Sequence, residues 1–100
     1  MPQFYSNVIS YSKTATDDNP FKIVSTDVWL KNANIHCVNN NADYGNTTEQ
    51  PATLSAGDIL TFENFNLADL LFKNSNAGSN TTIYVVGITM NKRAVRELLE

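Results

Sequence analysis

The chain has few charged residues and, before its last ten residues, very few basic ones. Charged side chains make up 17% of its 100 residues. Residues 1–90 hold four Lys against eight Asp and Glu, which is a net charge of −4. Nucleic acids are bound by clusters of Lys and Arg that neutralise phosphates. We therefore expect no nucleic-acid partner.

Cysteine, histidine and long apolar runs are also scarce. A single cysteine, Cys37, cannot form an internal disulfide, and with one histidine the chain cannot assemble the three or four soft ligands of a zinc site. No stretch approaches the roughly 18 apolar residues that span a bilayer, and residues 1–5 lack the basic start and apolar run of a signal peptide. We expect a protein made in a cytoplasm, with no metal, no cofactor and no membrane contact.

Two pairs of residues invite a catalytic interpretation, and strand geometry argues against both. His36 stands beside Cys37, but neighbouring residues of a strand point to opposite faces. Asp58 and Glu63 are five residues apart on one predicted strand, so they also face opposite sides. The sequence contains no glycine-rich phosphate loop. It therefore predicts no catalytic residue, and we expect that the protein is not an enzyme.

Asparagine is abundant, and short strand patterns recur between turns. The fourteen Asn residues favour turns over long helices. Period-two or β-rich runs predict strands at residues 5–11, 21–24, 28–30, 34–38, 58–63 and 83–90. Residues 67–72 predict a turn followed by a short strand, and residues 39–50 predict a long loop. Strands at this spacing are typical of an all-β fold, a small antiparallel β-sandwich or jelly-roll-like domain.

Two segments near the C-terminal end raise the question of partners. Residues 83–90 are apolar on both faces, so the second face is covered either by a partner subunit or by a bend between sheets. Asn91 is placed as the N-cap of a short C-terminal helix with a narrow apolar stripe, which is marginal unless it docks. We predict a sandwich domain over residues 1–90 and a helical tail over residues 91–100.

Trp29 and Tyr44 are the aromatic residues expected at the surface. Trp29 lies between Val28 and Leu30, so it faces outward if those two are in the core. Tyr44 falls in the predicted long loop. An outward aromatic on an uncharged sandwich is either an interface anchor or a platform for a ligand such as a sugar. Both interpretations stay open for Trp29, and Tyr44 is the second candidate ligand contact.

From Val28 onward the sequence resembles a group of small tailed-phage virion proteins. The motifs that carry the resemblance are NIHC at residues 34–37, ATLSAGDILTF at 52–62, NLADLLF at 66–72 and IYVVG at 83–87. The likeness covers about sixty residues. It implies a virion accessory protein: a phage structural protein, most specifically a capsid decoration or cement subunit, or a fibre subunit.

This resemblance implies partners as well as a role. The protein would sit in a virion, assemble as a homo-oligomer and contact the major capsid or other virion proteins. The residues predicted to form its interfaces are Trp29, Tyr84, Val86, Ile88, Met90, Val95, Leu98 and Leu99. The alternative function is a carbohydrate- or host-receptor-binding module that uses Trp29 and Tyr44.

Overall fold

The fold is built from eight strands and one 3₁₀ turn in a computed structural model that describes residues 7–90, 96, 97 and 99. The strands are β1 (Val8–Thr14), β2 (Phe21–Lys22), β3 (Trp29–Val38), β4 (Ala42–Gly45), β5 (Ala52–Leu54), β6 (Ile59–Asn66), β7 (Leu71–Asn74) and β8 (Thr82–Thr89), with a 3₁₀ turn at Leu67–Asp69. They form two four-stranded sheets, β1-β8-β3-β6 and β2-β7-β4-β5. Every pairing is antiparallel, which confirms the predicted all-β antiparallel sandwich.

The core lies between the two sheets and contains residues of both. Leu30, Ile35 and Ile83 of the first sheet are fully buried, as is Phe72 of the second. Ile9 and Tyr11 of β1 pack on this cluster, while Val8 and Ser10 are exposed. This alternation is the pattern of a sheet with one face in the core and one face outside.

The predicted turn before β6 is confirmed in detail. Gly57 has a φ of 93°, a backbone conformation that residues other than glycine rarely adopt. Its N–H donates to the Cys37 carbonyl at 2.7 Å, and the N–H of Asp58 donates to the Ser55 carbonyl at 3.0 Å. The turn over residues 67–69 followed by β7 also agrees with the sequence.

Other predicted elements need correction. The strands predicted at 28–30 and 34–38 are parts of one strand, β3, which begins at Trp29 and whose register against β8 shifts between Leu30 and Asn32. This bulge interrupts the period-two pattern, so the sequence predicts two strands where the structure has one. The strand predicted at 5–11 begins at Val8 in the described residues and runs to Thr14. The predicted long loop contains β4, and β5 follows it at residues 52–54.

Gly87 of β8 lies beside the bulge of β3. It pairs with Ala33, next to the point where the register shifts. A Cβ at position 87 would lie 2.6 Å from the Asn32 carbonyl oxygen and 3.0 Å from the Ala33 Cβ. Glycine is therefore required here by close approach of the two strands.

The short C-terminal helix is not seen among the described elements. Of residues 91–100, the structure describes Arg96, Glu97 and Leu99, which have helical backbone. The predicted N-cap Asn91 and the predicted interface residues Val95 and Leu98 lie outside the described residues. The helical tail and its boundary at residue 90 therefore stay predictions.

Candidate functional site

A pocket of about 330 Å³ opens beside β6, an edge strand of the first sheet. Its apolar lining comes from Trp29 on β3, Phe62 and Phe65 on β6, and Leu70 after the 3₁₀ turn. Its polar lining consists of Asn64, Asn66 and Asp69. Pockets with an aromatic wall and a few polar groups are the usual form of small-molecule sites.

The pocket exists because β6 departs from regular strand geometry at Asn64. Asn64 has a φ of 52°, a conformation that Asn tolerates better than most residues. Phe62 and Phe65 are three residues apart, yet both pack toward the core. A regular strand would point them to opposite faces. The bulge in β3 lies directly across from Asn64. Lys31 stands opposite Asn64, because Asn32 pairs with Glu63 and Leu30 pairs with Phe65.

The side chain of Asn66 holds the base of the pocket in place. Its Oδ1 accepts from the N–H groups of Val28 and Ala68, each at 3.1 Å. Its Nδ2 donates to the carboxylate of Asp27 at 2.9 Å. One buried amide thereby joins the start of β3, the end of β6 and the 3₁₀ turn. A base fixed in this way is preorganised for binding.

Aromatic rings continue from the pocket into the core. The Phe62 and Phe65 centroids are 5.3 Å apart, and Tyr44 meets Phe62 edge to face at 6.4 Å. Tyr44 also packs on Phe72, with centroids 6.5 Å apart. Contacts of this kind stabilise aromatic clusters beyond the area they bury. They hold the pocket wall rigid from behind.

The electrostatic character of the pocket is acidic. Asp69 is exposed at its margin, and Asp27 is hydrogen bonded to Asn66 in its base. Among the lining residues that the structure describes, none is Lys or Arg. An anionic ligand would meet repulsion here, while a neutral or cationic ligand would not.

The two aromatic residues expected at the surface lie in different environments. Trp29 is half-buried and lines the pocket. Tyr44 lies on β4, half-buried against Phe62 and Phe72, so its expected place in an exposed loop is wrong. The reason is the pairing of β4 with β7, which turns the Tyr44 ring toward the core cluster.

The remaining predicted interface residues divide by location. Tyr84 and Val86 are exposed on β8, Ile88 is partly exposed there, and Leu99 is exposed near the C-terminus. Met90 is partly buried, and its N–H donates to the Trp29 carbonyl at 2.9 Å. Their role as an interface stays a prediction.

Sequence reasoning missed the pocket residues Phe62, Phe65, Asn64, Asp69 and Leu70 as a group. One signal was present. Two aromatic residues at positions 62 and 65, with Asn at 64, break the alternation of an otherwise regular strand. Such a break marks a bulge, and bulges are common beside functional sites.

Cys37 is a core residue, and His36 points away from it. Cys37 is fully buried, and its thiol donates to the Asn40 carbonyl at 2.8 Å. Burial raises the pKa of the Cys37 thiol, and the charge of Asp58 acts in the same direction. The thiol is therefore held in its unreactive protonated form.

Residues 17–19 (Asp17, Asp18 and Asn19) form an oxygen-rich loop whose hydrogen bonds are turn contacts. The Asp18 carboxylate accepts from Asn74 Nδ2 and from the N–H of Gly78, both at 2.9 Å. These bonds hold the pKa of Asp18 below its ordinary value. Within the described ranges, no group of three or more His, Cys, Asp or Glu side chains is arranged to hold a metal ion.

In the part of the chain that the structure describes, no helix is both long enough and apolar enough to span a bilayer.

Comparison with known proteins gives a fold and no family. No protein-family model matches the chain, and no curated protein matches it. The chain is similar to the crystal structure of an RmlC-like cupin family protein with a double-stranded β-helix fold from Methanocaldococcus jannaschii. The TM-score is 0.60 at 10% sequence identity, and the match covers 89% of this chain and 75% of that one. It confirms the jelly-roll-like form of the predicted sandwich.

The same finding contradicts the predicted function. The fold similarity found is to a cupin family protein and not to a phage structural protein. The role in capsid decoration is therefore withdrawn. The alternative, a carbohydrate- or host-receptor-binding module that uses Trp29 and Tyr44, is not retained either, because Tyr44 is half-buried against Phe62 and Phe72 instead of lying in an exposed loop. The virion location and the virion partners depended on the withdrawn role and gain no support. What the comparison shows for this chain is its fold, a jelly-roll-like β-sandwich.

Proposed function

We propose that the chain is a cupin-type binding domain that holds a small planar organic molecule, neutral or cationic, in the pocket at β6. The observation that carries the proposal is the pocket itself: a rigid aromatic wall beside an exposed carboxylate, produced by irregularities in two neighbouring strands. We further propose that the domain binds its ligand without transforming it. The similarity in fold supports a cupin-type domain, and the pocket supports binding.

The preferred ligand follows from the lining. Planar rings stack on Trp, and a cation near the face of Trp gains about 0.5–2 kcal/mol from the ring's electrons. Asp69 adds attraction for a cationic group or accepts a hydrogen bond from a neutral donor. The Asn64 side chain supplies both a donor and an acceptor at the margin. A planar amine or amidine satisfies all three features.

Trp29 provides a built-in reporter, since it is the only tryptophan of the chain. Benzamidinium, benzamide and benzoate have nearly the same shape and differ in charge, so their titration against Trp29 fluorescence separates charge from shape. For fragments of this size we expect dissociation constants of about 1 mM or weaker. The expected order of affinity is benzamidinium first, benzamide second and benzoate last.

The matched variants are Asp69→Asn and Asp58→Asn. Both remove one exposed carboxylate, but Asp58 precedes β6 and does not line the pocket. We expect Asp69→Asn to weaken benzamidinium binding by about 3- to 10-fold while leaving benzamide within about 2-fold. Asp58→Asn should change neither affinity. Purely linear quenching by all three compounds, without saturation, would refute a binding pocket.

A further inference from the structure

The outer face of the first sheet carries an unusual concentration of exposed apolar side chains. Of the five large apolar residues that are exposed among those described, four lie on its strands: Val8 at 75%, Ile59 at 58%, Val86 at 47% and Tyr84 at 45%. Exposed apolar groups scattered singly are normal, but a contiguous patch indicates an interaction surface. We call this surface the outer face, defined by the outward residues of β1, β8, β3 and β6.

The strand register makes the patch contiguous. Tyr84 pairs with Ser12 on one side and His36 on the other, and His36 pairs in turn with Ile59. Val86 lies two residues along β8 from Tyr84, and Val8 stands opposite Ile88. Side chains in such adjacent rows touch one another across the face of a sheet.

The outer face also carries few charges. The residues around its apolar centre carry hydroxyl or amide groups, while Glu63 stands in the row that begins at Val8 and the exposed Lys31 lies at the bulge beside that row. These neighbours of the apolar centre are Ser10, Ser12, Asn32, Asn34 and Thr61. Depletion of charge at the centre of a patch distinguishes interfaces from ordinary surface better than apolar area does.

We propose that the outer face binds the outer face of a second copy of this chain, forming a two-fold symmetric dimer. In such a dimer each residue near the axis meets its own counterpart. Hydroxyl and amide groups both donate and accept, so they can pair with copies of themselves, which carboxylate and ammonium groups cannot do. The chain has a net charge of −3, so two copies repel each other overall, and contact through a face with few charges adds least to this repulsion.

The size of the face sets the strength of the dimer. Four strands about 4.8 Å apart and eight residues long at about 3.3 Å each cover roughly 500 Å² per copy. About 1,000 Å² in total is at the low end for a specific interface. We therefore expect dissociation constants of about 1–100 μM, with the two sheets stacked about 10 Å apart.

Sedimentation velocity between 5 and 500 μM tests the proposal with the full chain. The wild-type protein should shift from the mass of one chain toward twice that mass as its concentration rises. Val86→Glu places a carboxylate near the centre of the face and should weaken association at least about 100-fold. Ala77→Glu adds the same charge in an exposed turn outside the strands and should associate like the wild type.

A second variant keeps the test valid if Val86→Glu fails to fold, which far-UV circular dichroism would show. Val86→Thr keeps the β-branched shape, removes one apolar group and should weaken association by about 3- to 10-fold. A wild-type protein that stays monomeric at 500 μM overturns the proposal. An oligomer that persists unchanged in the folded Val86 variants overturns it too. Either failure leaves pocket binding by Trp29 intact, since Val8, Ile59, Tyr84 and Val86 do not line the pocket.

Discussion

Several asparagine residues of this protein shape the backbone, either through side-chain hydrogen bonds or through their own backbone conformation. Asn46 Oδ1 accepts from the N–H groups of Thr48 and Glu49 at 2.8 and 2.9 Å. Asn39 and Asn64 occupy the left-handed region, with φ of 73° and 52°. The high Asn content predicted turns, and it did so for the right physical reason. Which Asn would bend a strand, as Asn64 does, depends on its pairing partners and could not be predicted from composition.

Cys37 yields a prediction about alkaline stability. Its thiol pKa is raised in the folded state, so folding favours the protonated thiol. The resulting contribution to stability is complete below the ordinary thiol pKa and is lost as pH rises through the raised value. We expect Cys37→Ala to cost about 1–2 kcal/mol at pH 7 through a small cavity, but to lose less stability than the wild type between pH 8 and 10.

Thermal unfolding at several pH values measures both effects for Cys37→Ala. Every ionisable group other than the thiol is present in both proteins, so the difference between the two curves isolates the thiol. Parallel curves over this pH range would show that the thiol makes no pH-dependent contribution.

The edge strand β6 shows what strand patterns can and cannot predict. Its first part alternates regularly and was predicted, together with the turn at Gly57. Its last three residues, which begin with the bend at Asn64, form one wall of the pocket. Local alternation predicts a strand, but a bend depends on the neighbouring strand, here the bulge of β3. The sequence therefore indicated the candidate site only through Trp29 and through the irregular spacing of Phe62 and Phe65.

Asn66 should be the most sensitive position of this element. Asn66→Ala removes the acceptor of two backbone N–H groups, one of them buried, and we expect a loss of about 2–4 kcal/mol. Urea unfolding of this variant measures the loss. Asn64→Gly is the control, because glycine accepts a positive φ and should change stability by less than about 1 kcal/mol. Similar small losses in both variants would mean that Asn66 does not hold the base of the pocket.

At the scale of the whole molecule, both sheets contribute to one core. The core cluster joins Leu30 and Ile83 of the first sheet to Leu54 and Phe72 of the second. The sandwich architecture was predictable because period-two strands separated by turns have few other ways to bury one face each. The order of strands in the sheets was not predictable, since it depends on contacts between residues far apart in sequence.

A shared core predicts a single cooperative unfolding transition. Trp29 fluorescence reports the pocket, and far-UV circular dichroism reports both sheets, so the two signals should give the same midpoint and the same slope in urea. The measurement should be made at a concentration below the expected dimer range. A fluorescence transition that precedes the circular dichroism transition would show that the pocket end unfolds separately.

The close approach of Gly87 to β3 has a consequence for sequence divergence. A relative that keeps the bulge of β3 should keep glycine at position 87, because any Cβ there meets the Asn32 carbonyl oxygen. A relative whose β3 is regular is free to carry a larger residue. Glycine at position 87 should thus vary together with the Phe-x-x-Phe spacing at 62 and 65, and this covariation would trace which descendants of the fold retain the pocket.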